Sequence, residues 1–102
     1  MKYDRSDDFK ADYKRLSDEE RELFKKAVRR LNDAYKQRGD QPLPQWPKAL
    51  RVKDVEGAAR IFELTWSFSG PDGRATFELV TINGEPAIRW RRIGGHRIFD
   101  NP

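Results

Sequence analysis

The spacing of apolar residues along the chain changes period once, and that change divides it into a helical and a stranded half. From Asp7 to about Leu16, Phe9, Tyr13 and Leu16 recur at steps of four and three, which lays one apolar stripe along a helix. Ser17-Asp18-Glu19-Glu20 then reads as a capping box. The Ser17 hydroxyl can accept from the Glu20 backbone N–H while the Glu20 carboxylate reaches back to the Ser17 N–H. A second helix therefore starts there and runs to about Lys36, its core face marked by Leu23, Phe24, Ala27, Val28, Leu31, Ala34 and Tyr35. Asp18, Glu19, Glu20 and Glu22 open this helix, and Lys25, Lys26, Arg29, Arg30 and Lys36 follow, an order that complements the helix macrodipole.

Pro42, Pro44 and Pro47 cannot continue a helix, so the segment after it is predicted to be an extended connector. Beyond it the period becomes two. Arg60 to Phe68 alternates, with Phe62, Leu64, Trp66 and Phe68 on one face and Ile61, Glu63, Thr65 and Ser67 on the other. Gly70-Pro71-Asp72-Gly73 predicts a turn, and Arg74 to Ile82 a second strand, with Ala75, Phe77 and Leu79 inward and Arg74, Thr76 and Glu78 outward. Asn83-Gly84 marks a tight hairpin into a last strand from about Pro86 to Ile93, with Ile88 and Trp90 inward and Arg89 and Arg91 outward. The expected fold is α+β: two N-terminal helices packed on one face of a three- to four-stranded antiparallel sheet. One domain spans 1–102, with helices over about 7–37, a connector over 38–59, the sheet over about 60–93 and a tail over 94–102.

Composition narrows the chemistry. Hydrophobic residues make up 36% and charged residues 37% of the 102, so the core is thin and rests on its three Trp and six Phe. The absence of cysteine removes disulfides, thiolate catalysis and Cys-ligated zinc. A single histidine, His96, excludes a two-histidine mechanism and any multi-His metal site, and no metal or other cofactor is expected. Asp7, Asp8 and Asp12 read as the solvated acidic start of the first helix. No apolar run reaches the ~20 residues of a membrane span, and MKYDRSDDFK has no hydrophobic signal core, so a cytoplasmic protein with no membrane contact is expected.

With the helices on one side, the other face of the sheet becomes the candidate site. Lys48, Arg51 and Lys53 precede the first predicted strand. The stretch from Ala87 to Arg97 then holds Arg89, Arg91, Arg92, Arg97 and His96 with no acid among them. The net charge of +4 is thus concentrated where guanidinium groups can bind phosphate oxygens. Cleavage of RNA by its own 2′-OH needs a base, an acid for the leaving 5′-oxygen and cations around the transition state. Glu63 is the natural base, His96 the natural acid, and Arg74 and Arg91 the charge stabilisers. The competing reading is an ordinary solvated face on which Glu63 and Glu78 pair across strands with Arg74, Arg89 or Arg91.

The phrases Leu50-Arg51-Val52-Lys53, Ile61-Phe62-Glu63-Leu64-Thr65-Trp66, Gly73-Arg74-Ala75-Thr76-Phe77 and Trp90-Arg91-Arg92-Ile93-Gly94-Gly95-His96, in that order behind two helices, resemble the RelE/ParE superfamily of type II toxin–antitoxin toxins, and RelE in particular. The resemblance implies an endoribonuclease that cuts mRNA, ribosome-bound, without metal, and that a cognate antitoxin protein neutralises. It places Arg74 at the family's transition-state arginine and His96 near its C-terminal acid or phosphate contact. It makes Lys48, Arg51, Lys53, Thr65, Arg89, Arg91, Arg97 and Phe99 the RNA-binding set. Lysines of well-known members are replaced by Glu63 and Thr65, and an aromatic hydroxyl by Phe99, which can stack on a base but cannot move a proton. Two alternatives stay open: a ParE-like toxin acting by binding a protein such as DNA gyrase, and a non-toxic nucleic-acid-binding module of the same fold.

Overall fold

The computed structural model describes residues 2–40, 45–58, 60–67, 73–95, 98 and 102. Both predicted helices form. The first, α1 (Asp7–Lys14), starts at Ser6, whose hydroxyl accepts from the Phe9 N–H at 3.0 Å while donating to the Arg91 carbonyl at 2.7 Å. The second, α2 (Asp18–Lys36), carries the complete capping box: Glu20 N–H to Ser17 Oγ at 3.1 Å and Ser17 N–H to Glu20 Oε1 at 2.8 Å.

The sheet differs from expectation in strand number and in sense. It has five strands in the order β1-β5-β4-β3-β2: β1 (Lys2–Arg5), β2 (Lys53–Asp54), β3 (Ile61–Ser67), β4 (Gly73–Ile82) and β5 (Glu85–Gly94). Strand β1 runs parallel to β5, so the sheet is mixed rather than antiparallel. The predicted connector is also not wholly extended. Lys48–Leu50 forms a single 3₁₀ turn and β2 follows it, which brings Leu50 and Val55 into the interior. The predicted Gly70-Pro71-Asp72 turn lies outside the described residues. At the β4–β5 hairpin, Asn83 and Gly84 both have positive φ, as a type I′ turn demands.

The core lies between the helices and one face of the sheet. Phe9, Phe24 and Leu31 from the helices meet Leu64, Trp66, Ala75, Phe77, Ile88, Trp90 and Ile93 from the strands. Phe77 packs among Phe62, Trp46 and Trp90 at ring separations of 5.6, 6.0 and 5.4 Å, and Trp90 stands edge-on to Phe24 at 5.1 Å. Such pairs add about 0.5–1.5 kcal/mol each beyond area burial, which is how few residues hold a thin core. A bulge breaks the β4–β5 register. Thr76 pairs with Arg92 and Phe77 with Trp90, leaving Arg91 as the extra residue. Trp90 and Ile93 consequently both reach the core, while Arg91 turns to the other face, toward the Pro102 oxygen, and Arg92 reaches Asp12 of α1.

Candidate nucleic-acid interface

The strand registers set out the second face of the sheet in rows. Glu63 lies opposite Thr76, which lies opposite Arg92; Thr65 lies opposite Arg74; Ile61 lies opposite Glu78, which lies opposite Arg89. Glu63 and Arg74 are thus diagonal neighbours across β3 and β4, an arrangement with typical Cα separations of about 7–8 Å. Thr65, Thr76 and Arg91 surround them. Lys53 joins from β2 at one edge, its Nζ 3.5 Å from Glu63 Oε1. Arg89 is two strands away from Glu63, in the row of Glu78, and is not part of that cluster. Lys48 and Arg51 are exposed at the 3₁₀ turn, where Arg51 takes the left-handed conformation at φ 48° that ends it. His96, Arg97 and Phe99 lie outside the described residues.

This face is not the open polar surface that alternation predicts. Glu63 is 8% exposed, Thr65 2% and Thr76 0%, and Arg74 is half-buried with its Nη1 shut off from solvent. Part of the cover comes from the chain itself. Pro102 sits over β4 and β5, its main-chain oxygen accepting from Thr76 Oγ1 and from Arg91 Nε, each at 3.0 Å, and Ile98 is buried against Gly94. Period-two alternation reports which side of a sheet a residue takes; it carries no information about what lies over that side.

The arginines of β5 are also compensated. Arg89 contacts Asp4 through Nε at 3.3 Å and Glu78 through Nη1 at 3.3 Å, while Arg91 Nη1 reaches the same Glu78 oxygen at 3.4 Å. The predicted cross-strand pairing of Glu78 with Arg89 and Arg91 is therefore present, and Glu63 pairs with Lys53. The Arg5 backbone N–H holds the Asp4 carboxyl below the usual aspartate range, and Arg89 pulls it in the same direction.

Arg92 is held by Asp12 of α1. Its Nε lies 2.6 Å from Oδ2 and its Nη2 3.1 Å from Oδ1, and Oδ2 also accepts the Ile93 N–H at 3.2 Å. That fork keeps the Arg92 guanidinium still more firmly protonated than an ordinary arginine. Asp12 is thus a buried anchor between α1 and the bulged end of β5, not part of a solvated helix start. Among the described residues no group of three or more His, Cys, Asp or Glu gathers as a metal site, and no helix is long and apolar enough to cross a membrane.

The comparisons with known proteins bear on the fold. No family model and no curated protein sequence matches the chain. Among solved structures, a chain of the RelB-RelE antitoxin-toxin complex from Methanococcus jannaschii superposes with a TM-score of 0.58, covering 97% of this chain and 99% of that one at 18% identity. The fold is RelE-like. The likeness extends over both chains almost from end to end, so it is a likeness of the whole fold.

Proposed function

We propose that the protein is a RelE-type toxin, a metal-independent endoribonuclease that cleaves ribosome-bound mRNA in the cytoplasm and is neutralised by a cognate antitoxin. The observation that carries this reading is the end-to-end likeness in fold to a chain of an antitoxin-toxin complex. The register of β3 and β4 supports the chemistry, because it sets Glu63 and Arg74 on one face and on adjacent rungs, with Thr65 opposite Arg74 and Arg91 beyond Thr76. In this mechanism Glu63 takes the proton of the 2′-OH, whose oxygen attacks the adjacent phosphorus. His96 returns a proton to the 5′-oxygen as the P–O5′ bond breaks, leaving a cyclic phosphate, and Arg74 and Arg91 stabilise the added negative charge. Lys48, Arg51, Lys53, Arg89 and Arg97 steer the RNA backbone, and Phe99 stacks on a base. The phosphate takes the place that the Pro102 oxygen holds between Thr76 and Arg91.

Induced expression with primer extension tests the proposal. The wild type is expected to arrest growth and to create new mRNA 5′ ends inside translated codons, while Arg74→Ala and His96→Gln relieve the arrest without loss of fold. Undiminished arrest in both variants would refute the site. One observation favours a second reading, ParE-like action by binding a protein such as DNA gyrase: Glu63 is buried and Arg89 and Arg91 already share a carboxylate. That reading requires arrest with a DNA-damage response and intact mRNA. Harmless overexpression would point instead to a nucleic-acid-binding module without toxicity.

A further inference from the structure

Strand β1 ends at Arg5, whose partner on β5 is Trp90, and past that rung the start of α1 takes the place of a strand beside β5. The Ser6 N–H donates to the Trp90 carbonyl at 2.9 Å and the Ser6 hydroxyl to the Arg91 carbonyl at 2.7 Å. Asp12 then takes the Arg92 guanidinium and the Ile93 N–H. Residues 90, 91, 92 and 93 are thus each tied to α1 or its cap. Arg91 depends on this most. It is the extra residue of the bulge, and no residue of β4 pairs with it, so its backbone sits on no rung of the β4–β5 ladder.

Ser6 serves two neighbours through one oxygen. As the N-cap of α1, its Oγ accepts from the Phe9 N–H at 3.0 Å, and the single proton on that oxygen goes to the Arg91 carbonyl. A carboxylate would cap the helix equally well but has no proton to give. From the carbonyl held in this way, the Arg91 side chain crosses to the other face of the sheet. There its Nε donates to the Pro102 oxygen at 3.0 Å, beside the Thr76 hydroxyl bound to the same oxygen, and its Nη1 lies 3.4 Å from Glu78 Oε1. An arginine side chain is long and jointed, so the place its guanidinium can occupy follows from where its own backbone is fixed. A misplacement of about 1 Å can cost a reacting site about 100-fold, and the bonds that prevent it come from residues that never meet the ligand.

We infer that the Ser6 hydroxyl is a positioning group for Arg91: by holding the bulged peptide it makes the Arg91 guanidinium and the Thr76 hydroxyl converge on one anionic oxygen on the far face of the sheet. The inference rests on the reading of Arg91 as a stabiliser of phosphate charge, and Ser6 acts only through it. Glycine is itself an accepted N-cap residue, so Ser6→Gly keeps the start of α1 and removes the donor, whereas Ser6→Thr keeps both. Two measurements on the full chain test the inference. The first is hydrogen exchange at the Arg91 Nε–H, followed by NMR without RNA. Ser6→Gly is expected to speed it about fivefold or more, the size of one hydrogen bond, and Ser6→Thr to leave it as in the wild type. The second is binding, at fixed salt, of a 2′-O-methyl RNA decamer, which has no free 2′-OH and cannot be cut. Ser6→Gly is expected to weaken it about fivefold or more and Ser6→Thr to restore it. In an Arg91→Gln background Ser6→Gly is expected to change nothing further. Unaltered Nε–H exchange in Ser6→Gly, no restoration by threonine, or a loss in the Arg91→Gln background as large as in the wild type would each overturn the inference, the last because a merely structural effect adds. A wild type that does not bind the decamer refutes the nuclease reading instead, and the Nε–H exchange still decides whether Ser6 holds Arg91 over Thr76.

Discussion

Replacing Asp12 with alanine removes an anchor that three donors share, and the structure sets the size of the loss. Asp12 and Arg92 have side-chain exposures of 8% and 22%, so the pair is largely but not wholly desolvated. Deleting one member of a buried ion pair costs about 3–5 kcal/mol, chiefly because the other charge is left behind. Arg92 retains some contact with water, which places Asp12→Ala near the low end, at about 3 kcal/mol. Part of that is the Ile93 N–H, which loses the Asp12 Oδ2 acceptor. For a domain of this length 1 kcal/mol moves the melting temperature by roughly 4–8 °C, so a drop of roughly 12–24 °C is expected. Asp12→Asn keeps an acceptor for Ile93 and should cost about half as much. Urea unfolding at pH 7, followed by tryptophan fluorescence, gives both values. Combining Asp12→Asn with Arg92→Met closes a double-mutant cycle, with an expected coupling of about 1–2 kcal/mol. A loss below about 1 kcal/mol for Asp12→Ala, or a coupling near zero, would refute the assignment of Asp12 as the anchor of α1 to β5.

Three further outcomes follow from local geometry. A Cβ on Gly73 would fall well inside van der Waals contact of three indole carbons of Trp66, so Gly73→Ala must displace backbone or ring and should cost about 1–3 kcal/mol in thermal unfolding; an unchanged melting temperature would disprove the close approach. Ser17→Ala removes half of the α2 capping box and should lose about 1 kcal/mol by urea titration, with no change in m. The Asp4 carboxyl, its affinity for protons lowered by Arg5 and Arg89, contributes to stability fully above the usual aspartate range and loses that contribution as pH falls through its depressed value. An NMR titration should place its midpoint below the usual aspartate value, and Arg89→Gln should raise it only part of the way; a midpoint at or above the usual value counts against the contacts.

Periodicity exposes those elements of the chain whose side chains bury one face. The α1 and α2 stripes, the capping box, the three long strands and the Asn83-Gly84 hairpin are legible for that reason. Strand β1 is not, because Lys2, Tyr3, Asp4 and Arg5 are all exposed and the strand is recruited by backbone bonds to β5. Two residues of β2 are too few to show any period. Asp12 left a trace that is easy to pass over: it falls at i+3 from Phe9, inside the Phe9-Tyr13-Leu16 stripe, where a solvated acid does not belong. The Arg91-Arg92 doublet is a similar trace. Strict alternation cannot keep Trp90 and Ile93 on the same face, and the bulge resolves the conflict.

Two features of the sheet face oppose RNA, and they differ in weight. Exposed or half-exposed ion pairs such as Arg89 and Arg91 with Glu78 are worth about 0–1 kcal/mol each, and a phosphate offers the same guanidinium groups a stronger bidentate partner. Exchanging Glu78 for a phosphate therefore costs little, and charge compensation along β5 does not by itself argue against a nuclease. The seat of Pro102 is a heavier obstacle. Its oxygen satisfies a fully buried Thr76 hydroxyl and the Arg91 Nε together, so leaving without a replacement strands a buried donor at about 1–3 kcal/mol. A phosphate oxygen arriving at the same place restores both bonds, and the net cost reduces to ordering the RNA and moving Pro102. The geometry that hides the proposed site would thus also suit an anionic oxygen: Thr76 and Arg91 are aimed at one point above the sheet, with Thr76 directly opposite Glu63 and two residues along β4 from Arg74.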